Sequence, residues 1–262
     1  MEDWNNGAME KMNPNPTIPL LHYSIILFLL AVIFAAGCDQ LPGKPTPEER
    51  WQAATEVTDF SQLYALNCAG CHGAGGLLGA ARPLNDPLYL ALVSVPTLRT
   101  MIAQGVPGTA APAFAQQAGG SLTDKQIDVL VEGMRSRWGK AENFTGVRFP
   151  PYSLEVTSAK GSVPGDPQRG AVAYQTYCAQ CHGKDGGGGS KGGSVINPAY
   201  VALASNQALR TAVIVGRPDL GMPDWRAYVP GRPMSAQEIT DVVAWLASHR
   251  QAGPASQASK SK

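Results

Sequence analysis

Histidine is scarce in this chain. Only His22, His72, His182 and His249 occur among 262 residues, so a metal site built on imidazole has few places to stand. Net charge is nearly absent, with 21 Lys and Arg against 20 Asp and Glu. With that balance nothing points to nucleic acid or to an acidic surface as a general partner. Aromatic residues make up only 7%, whereas Gly 29 and Pro 21 are raised. Small, loop-rich domains fit such a composition, with core volume supplied by something besides side chains. The longest unbroken apolar run, Ile25 to Ala36, has twelve residues, short of the ~20 that span a bilayer. No stretch alternates with the two-residue period of a half-buried strand.

That apolar run lies near the N-terminus and ends in Ala35-Ala36-Gly37-Cys38. Its length is that of a signal-peptide h-region. Small residues before a lone cysteine resemble the lipobox of bacterial lipoproteins, although leucine is commoner where Ala35 stands. The resemblance implies cleavage before Cys38 and a diacylglycerol on its sulfur. The alternative is an uncleaved anchor with Cys38 an incidental thiol. Ahead of Leu20 stand Glu2, Asp3 and Glu10 against Lys11, acidic where a signal n-region is basic. A start at Met9 or Met12 removes part of that conflict. Residues 1–37 are thus expected to deliver the rest to a membrane surface. Residues 38–57, with Leu41-Pro42-Gly43-Lys44-Pro45-Thr46-Pro47, are expected to form a stiff spacer.

The remainder repeats itself at a shift of 110 to 112 residues. Asn67 to Gly73 pairs with Tyr177 to Gly183, Asp86 to Leu92 with Asn197 to Leu203, and Leu98-Arg99-Thr100 with Leu209-Arg210-Thr211. Each copy predicts the same helices. Asp86-Pro87, Asp166-Pro167 and Asn197-Pro198 are N-caps followed by proline at the first helical position. Gly105 and Gly216 stop a third helix. Thr123/Gln126 and Ser235/Glu238 form capping boxes. Behind them run apolar stripes, Ile127, Leu130, Val131, Met134 and Ile239, Val242, Val243, Leu246. The expected fold is all-α, two tandem small domains over 58–139 and 167–250. A Pro/Gly/Ser-rich linker over 140–166 joins them, and a polar tail without a core face, expected to be disordered, follows over 251–262.

Cys38 aside, the cysteines form two pairs, Cys68/Cys71 and Cys178/Cys181, each followed at once by His72 or His182. Cys-X-X-Cys-His is the attachment signature of haem c. Two thiols one helical turn apart meet the two vinyl groups of one porphyrin, and the adjacent histidine is placed to give a ring nitrogen to the iron. Two haem c groups follow, bonded through Cys68, Cys71, Cys178 and Cys181 and ligated by His72 and His182. A disulfide or a redox-active Cys-X-X-Cys needs no histidine at the next position twice over. A zinc site from both pairs would have to join separate domains. The run Gly186 to Gly193, with Lys191, lacks the Gly-Lys-Ser/Thr ending of a phosphate loop and is expected as a flexible haem-side loop.

On these residues each copy resembles a class I cytochrome c, and the chain as a whole resembles bacterial di-haem cytochrome c lipoproteins. The resemblance implies a methionine in a Met-Pro turn as sixth iron ligand. Copy two matches with Met222-Pro223, and histidine plus thioether implies a relatively high-potential haem. Copy one departs: Gly108-Thr109-Ala110-Ala111-Pro112-Ala113-Phe114 places Ala111 where methionine belongs. The sixth position of haem 1 is expected to be open, water-bound or taken by Met101. Met134, the other sulfur in the copy, lies like Met101 on an apolar helical stripe. The resemblance also implies that Pro83, eleven residues after His72, offers its carbonyl to the proximal histidine, where copy two has Ser194. Arg99 and Arg210 are expected either as haem-propionate partners or as solvated charges. Tyr89, Tyr200 and Trp225 are candidate pocket walls.

No nucleophile or proton-transfer constellation is visible. The implied function is single-electron transfer at the outer, periplasmic face of the bacterial cytoplasmic membrane. The implied partners are a membrane quinol-oxidising complex and a terminal oxidase or reductase. The unequal copies leave an alternative, a di-haem peroxidase or gas-binding haem protein that uses an open position on haem 1.

Overall fold

Short oxygen-bearing side chains set just ahead of a proline or an apolar run decide where the helices begin. The computed structural model describes residues 25–32, 51–153 and 163–250, and the chain divides into two units, 1–52 and 53–262. In the first unit residues 25–32 are helical, with exposed apolar side chains. Among the described residues no helix is long and apolar enough to cross a membrane. Cys38, most of the expected leader and spacer, and the tail 251–262 lie outside the described residues.

In the second unit, copy one consists of α1 Phe60–Asn67, α2 Ala69–His72, α3 Pro87–Leu92, α4 Val95–Gln104 and α5 Asp124–Trp138. Copy two repeats the order as α6 Pro167–Tyr177, α7 Ala179–His182, α8 Pro198–Leu203, α9 Asn206–Val215 and α10 Ala236–Ser248. The fold is all-α: among the described residues the only extended pairings are the isolated bridges Ala115 to Leu122 and Arg217 to Met222. Each expected cap is in place. Asp86, Asp166 and Asn197 accept from amides of the first turns of α3, α6 and α8, satisfying donors that lack an intrahelical partner. Both capping boxes close. Gln126 does more than cap, since its Nε2 donates to the Ala54 and Val57 carbonyls at 2.7 and 2.9 Å. Residues 54–57, the end of the expected spacer, therefore already pack with copy one.

The two stripes of α5 and α10 form the core of each copy. Ile127, Leu130, Ile239 and Val242 are fully buried, each worth about 1.5–3 kcal/mol on leaving water. Where the first and last helices of a copy cross, one glycine permits the contact, but it sits on opposite helices in the two copies. In copy one a Cβ at Gly133 on α5 would collide with the Phe60 ring of α1. In copy two a Cβ at Gly170 on α6 would collide with the Asp241 carbonyl and crowd Trp245 of α10. Phe60 aligns with Gly170 and Gly133 with Trp245, so large and small have exchanged places. Aromatic partners then pack around each crossing, Tyr64 and Phe60 edge-on to Trp138 and Tyr174 stacked on Trp245.

The described part of the expected linker is packed. Phe149 contacts Phe144 and Trp225, both at 6.0 Å between ring centroids. Arg210 Nε donates to the Pro151 carbonyl at 2.9 Å, and Gln207 Nε2 to that of Tyr152 at 2.8 Å. Single aromatic anchors in a Pro/Gly-rich stretch have no periodicity to read, yet they bury like core residues. The copies also touch directly. The Leu78 amide donates to Asp219 Oδ2 at 3.1 Å, and Arg217 Nη2 to the Gly79 carbonyl at 3.3 Å. Arg217 and Asp219 form an ion pair at 2.9 Å in which the Asp219 side chain is 1% exposed.

Candidate cofactor sites

Each Cys-X-X-Cys-His segment is one tight helical turn. Cys68 ends α1 and opens α2, and its carbonyl accepts from the Cys71 and His72 amides at 3.2 and 3.0 Å. Cys178 does the same for Cys181 and His182 at 3.1 and 3.0 Å. The turn stops at Gly73 and Gly183, both at positive φ, 84° and 83°. Tyrosines four residues before the first cysteine pin this stop: Tyr64 Oη donates to the Gly73 carbonyl at 3.0 Å and Tyr174 Oη to that of Gly183 at 2.7 Å. These tyrosines were legible only by extending the repeat alignment upstream of the cysteines.

The four cysteines are free thiols. Burial, and then the neighbouring Cys71, pushes Cys68 up to about 11; burial, and then Cys181, pushes Cys178 up to about 12. A disulfide-exchange cysteine requires the opposite, a stabilised thiolate. Among the described residues no three His, Cys, Asp or Glu side chains converge as a metal cluster.

Each histidine is oriented by a backbone carbonyl. His72 Nδ1 faces the Arg82 carbonyl at 2.7 Å and His182 Nδ1 that of Gly193 at 2.8 Å. A ring nitrogen facing a carbonyl must carry the proton, which leaves the Nε2 lone pair free for a metal. Burial, the largest influence, holds His72 below its ordinary value against the raising effect of that hydrogen bond, which favours the neutral ring. The acceptor is therefore not Pro83, as expected, but the residue before it, and in copy two the residue before Ser194. Pro83 biases its predecessor towards extended backbone, which suits a carbonyl turned to the ring.

The glycine run of copy two is closely packed around the motif, in contrast to the expected flexible loop. A Cβ at Gly192 would lie 2.7 Å from the His182 ring, and the Gly188 amide donates to the His182 carbonyl at 2.9 Å. Glycine is required there because the loop backbone approaches the imidazole.

Cys178, Cys181, His182 and Met222 line one cavity of about 440 Å³, with Tyr200, Arg217 and Tyr228 on its walls. Met222 is held by two backbone hydrogen bonds with Arg217, both 3.0 Å. In copy one the same turn persists, with the Val106 amide donating to the Ala111 carbonyl at 3.1 Å, but it offers no ligand. Met134 is 1% exposed in the α5 core. Met101 is half-buried and its Sδ accepts from Tyr152 Oη at 3.4 Å. Its counterpart Ala212 lines the copy-two cavity.

Both recurring arginines are engaged away from the copy-two cavity. Arg99 is exposed and pairs with Asp124 and Asp128 at 2.8 and 2.7 Å. In copy two those acids are replaced by Ala236 and Thr240, and Arg210 turns inward, 0% exposed, to Pro151 and to Thr240 at 3.0 Å. Burial lowers its guanidinium to about 10. Trp225 packs on Phe149, whereas Tyr89 lies beneath the Arg82 guanidinium at 4.0 Å. Free thiol pairs, oriented histidines, a methionine-lined cavity and buried Arg82 donors without a protein partner together fit a covalently held porphyrin with carboxylate arms.

Residues 55–132 and 165–246 match the family described as cytochrome C oxidase, cbb3-type, subunit III. The cbb3-type cytochrome c oxidase subunit FixP of Azorhizobium caulinodans is 30% identical over 135 residues, 50% of this chain and 40% of that protein. The chain thus spans less than half the length of that relative. Cytochrome c of Sesamum indicum is 33% identical over 101 residues, 32% of this chain and 89% of that protein. Among solved structures, a chain of the reducing HAO-like protein complex of Kuenenia stuttgartiensis is 18% identical, with a TM-score of 0.42, covering 81% of this chain and all of that one. Two matched segments on two helical repeats, each holding a Cys-X-X-Cys-His turn, place the chain in the cytochrome c family described as cbb3-type oxidase subunit III, with covalently bound haem c and electron transfer as its chemistry.

Proposed function

We propose that this protein is a membrane-tethered di-haem cytochrome c that passes single electrons between respiratory complexes outside the cytoplasm. Cys68 and Cys71 would hold haem 1, with His72 as an iron ligand; Cys178 and Cys181 would hold haem 2, with His182 and Met222 as its iron ligands. The bound haem supplies one-electron exchange at its iron. The protein's share is to orient the imidazoles through the Arg82 and Gly193 carbonyls, exclude water, and present a docking face. The observation that carries this reading is that His182, both its cysteines and Met222 line a single cavity.

The domain limits are proposed as 58–139 and 167–250, joined over 140–166. Tethering rests on the apolar run 25–36 and on lipid at Cys38. A terminal oxidase as electron acceptor is supported by the FixP relative, a cbb3-type cytochrome c oxidase subunit. A quinol-oxidising membrane complex is the proposed donor, and the periplasmic face of the cytoplasmic membrane the proposed location.

For haem 1 we propose Met101 as sixth ligand, because its counterpart lines the copy-two cavity and its sulfur already accepts a hydrogen bond from Tyr152. Ala111 supports the second reading, a peroxidase or gas-binding protein with haem 1 open. The optical spectrum separates them: a wholly low-spin oxidised protein that binds no CO fits a carrier, whereas a high-spin band with CO on one haem of two selects the open-site reading. Met222→Ala is expected to lower the potential of one haem while both stay attached. Unchanged potentials remove Met222 from the site, and pigment lost on acid–acetone extraction removes covalent haem.

A further inference from the structure

Arg82 carries two functions in one residue. Its carbonyl orients His72. Its guanidinium lies over the Tyr89 ring at 4.0 Å, with Nε and Nη2 both buried and without a protein partner. Buried donors of a half-buried cation are costly unless an acceptor meets them. The neighbouring groups do not serve. The Arg82 charge acts on the Asp86 carboxyl, but Asp86 Oδ1 is occupied by the Leu88 and Tyr89 amides and Oδ2 has no hydrogen-bond partner, so neither oxygen meets the Arg82 donors. Tyr152 Oη points to Met101 Sδ. The planar fork of Nε and Nη2 matches a carboxylate through two parallel hydrogen bonds.

We propose that Arg82 receives a propionate carboxylate of the haem held by Cys68, Cys71 and His72, and so fixes that haem against the seam with copy two. This rests on the di-haem reading. Arg99, the cation that the repeat pattern singles out, is occupied by two surface carboxylates, and Arg210 by Pro151 and Thr240. The seam is close: Tyr152 from the connecting segment meets both Tyr89 and Thr211, and both the Arg82 and Arg217 charges act on Tyr200. In the repeat, Gly193 stands where copy one has Arg82, so only haem 1 gains this cation. A positive charge whose donors are buried opposes oxidation of a nearby iron, so Arg82 raises the haem 1 potential above the value its axial ligands alone would set.

The test is spectroelectrochemical titration of the full di-haem protein with Arg82→Gln, Arg82→Lys and Arg99→Gln, together with resonance Raman of the propionate-bending modes. Met222→Ala in parallel identifies the haem 2 step. Arg82→Gln should lower the haem 1 potential, move haem 2 less and shift the propionate bands. Arg82→Lys should keep part of the potential but still move the bands, because an ammonium cannot reproduce the fork. Arg99→Gln should leave both haems unchanged. If Arg82→Gln is not recovered with two haems, the Raman bands of Arg82→Lys decide. Bands unmoved in the lysine variant, or a glutamine shift no larger than that of Arg99→Gln, overturn the role of Arg82 and leave the di-haem reading intact. A chain without covalent haem overturns that reading itself.

Discussion

A single side chain in this protein takes its meaning from one or two neighbours. Arg99 and Arg210 occupy the same place in the repeat, yet one is an exposed partner of two acids and the other is wholly buried, because Asp124 and Asp128 became Ala236 and Thr240. The paired tyrosines Tyr64 and Tyr174 behave in the opposite way, making the same bond in both copies. Burial, and then Cys68, pushes the Tyr64 phenol up to about 12, so it remains a donor at any physiological pH. Tyr64→Phe removes that donor and leaves the Gly73 carbonyl without it. The expected loss is about 1 kcal/mol, read as a lower guanidinium unfolding midpoint with both haems retained.

The elements are held by caps at their ends and by close crossings at their middles. The crossing of α6 and α10 depends on Gly170, where any side chain meets the backbone of Asp241. Gly170→Ala should destabilise the protein by at least about 1–3 kcal/mol, as overpacking against unyielding backbone does, despite alanine's better helix propensity. Calorimetric melting checks this, and an unchanged or raised Tm contradicts the crossing. Gly133→Ala should act the same way in copy one, milder because the Phe60 ring can turn aside.

Across the whole second unit the two copies are joined by the 144–153 segment and by the Arg217–Asp219 pair against Leu78 and Gly79. The hydrogen bond from Arg217 holds the Asp219 carboxyl below its ordinary value, aided by the Leu78 amide and opposed by burial. A carboxyl with a lower pKa folded than unfolded contributes stability above the ordinary aspartate value of about 3.9, and the contribution fades as pH falls through and below it. The wild-type protein should therefore lose stability faster than Asp219→Asn on acidification from about pH 5 to 3. Parallel pH profiles of the two proteins would remove Asp219 from the seam.

Helix starts, the apolar stripes, the doubling of the domain and the Cys-X-X-Cys-His turns were determined by the sequence alone, because each is a local pattern: a cap bonds within three residues, a stripe repeats every turn, and the motif is five consecutive positions. Which carbonyl turns to His72, where the two aligned arginines go, how the glycine-rich loop closes on His182, and the packing of the apparent linker were decided by tertiary structure. Those depend on contacts between residues far apart in the chain, such as Arg210 with Pro151 or Leu78 with Asp219. No periodicity encodes such a pairing; it exists only once burial makes an unmet donor or acceptor costly.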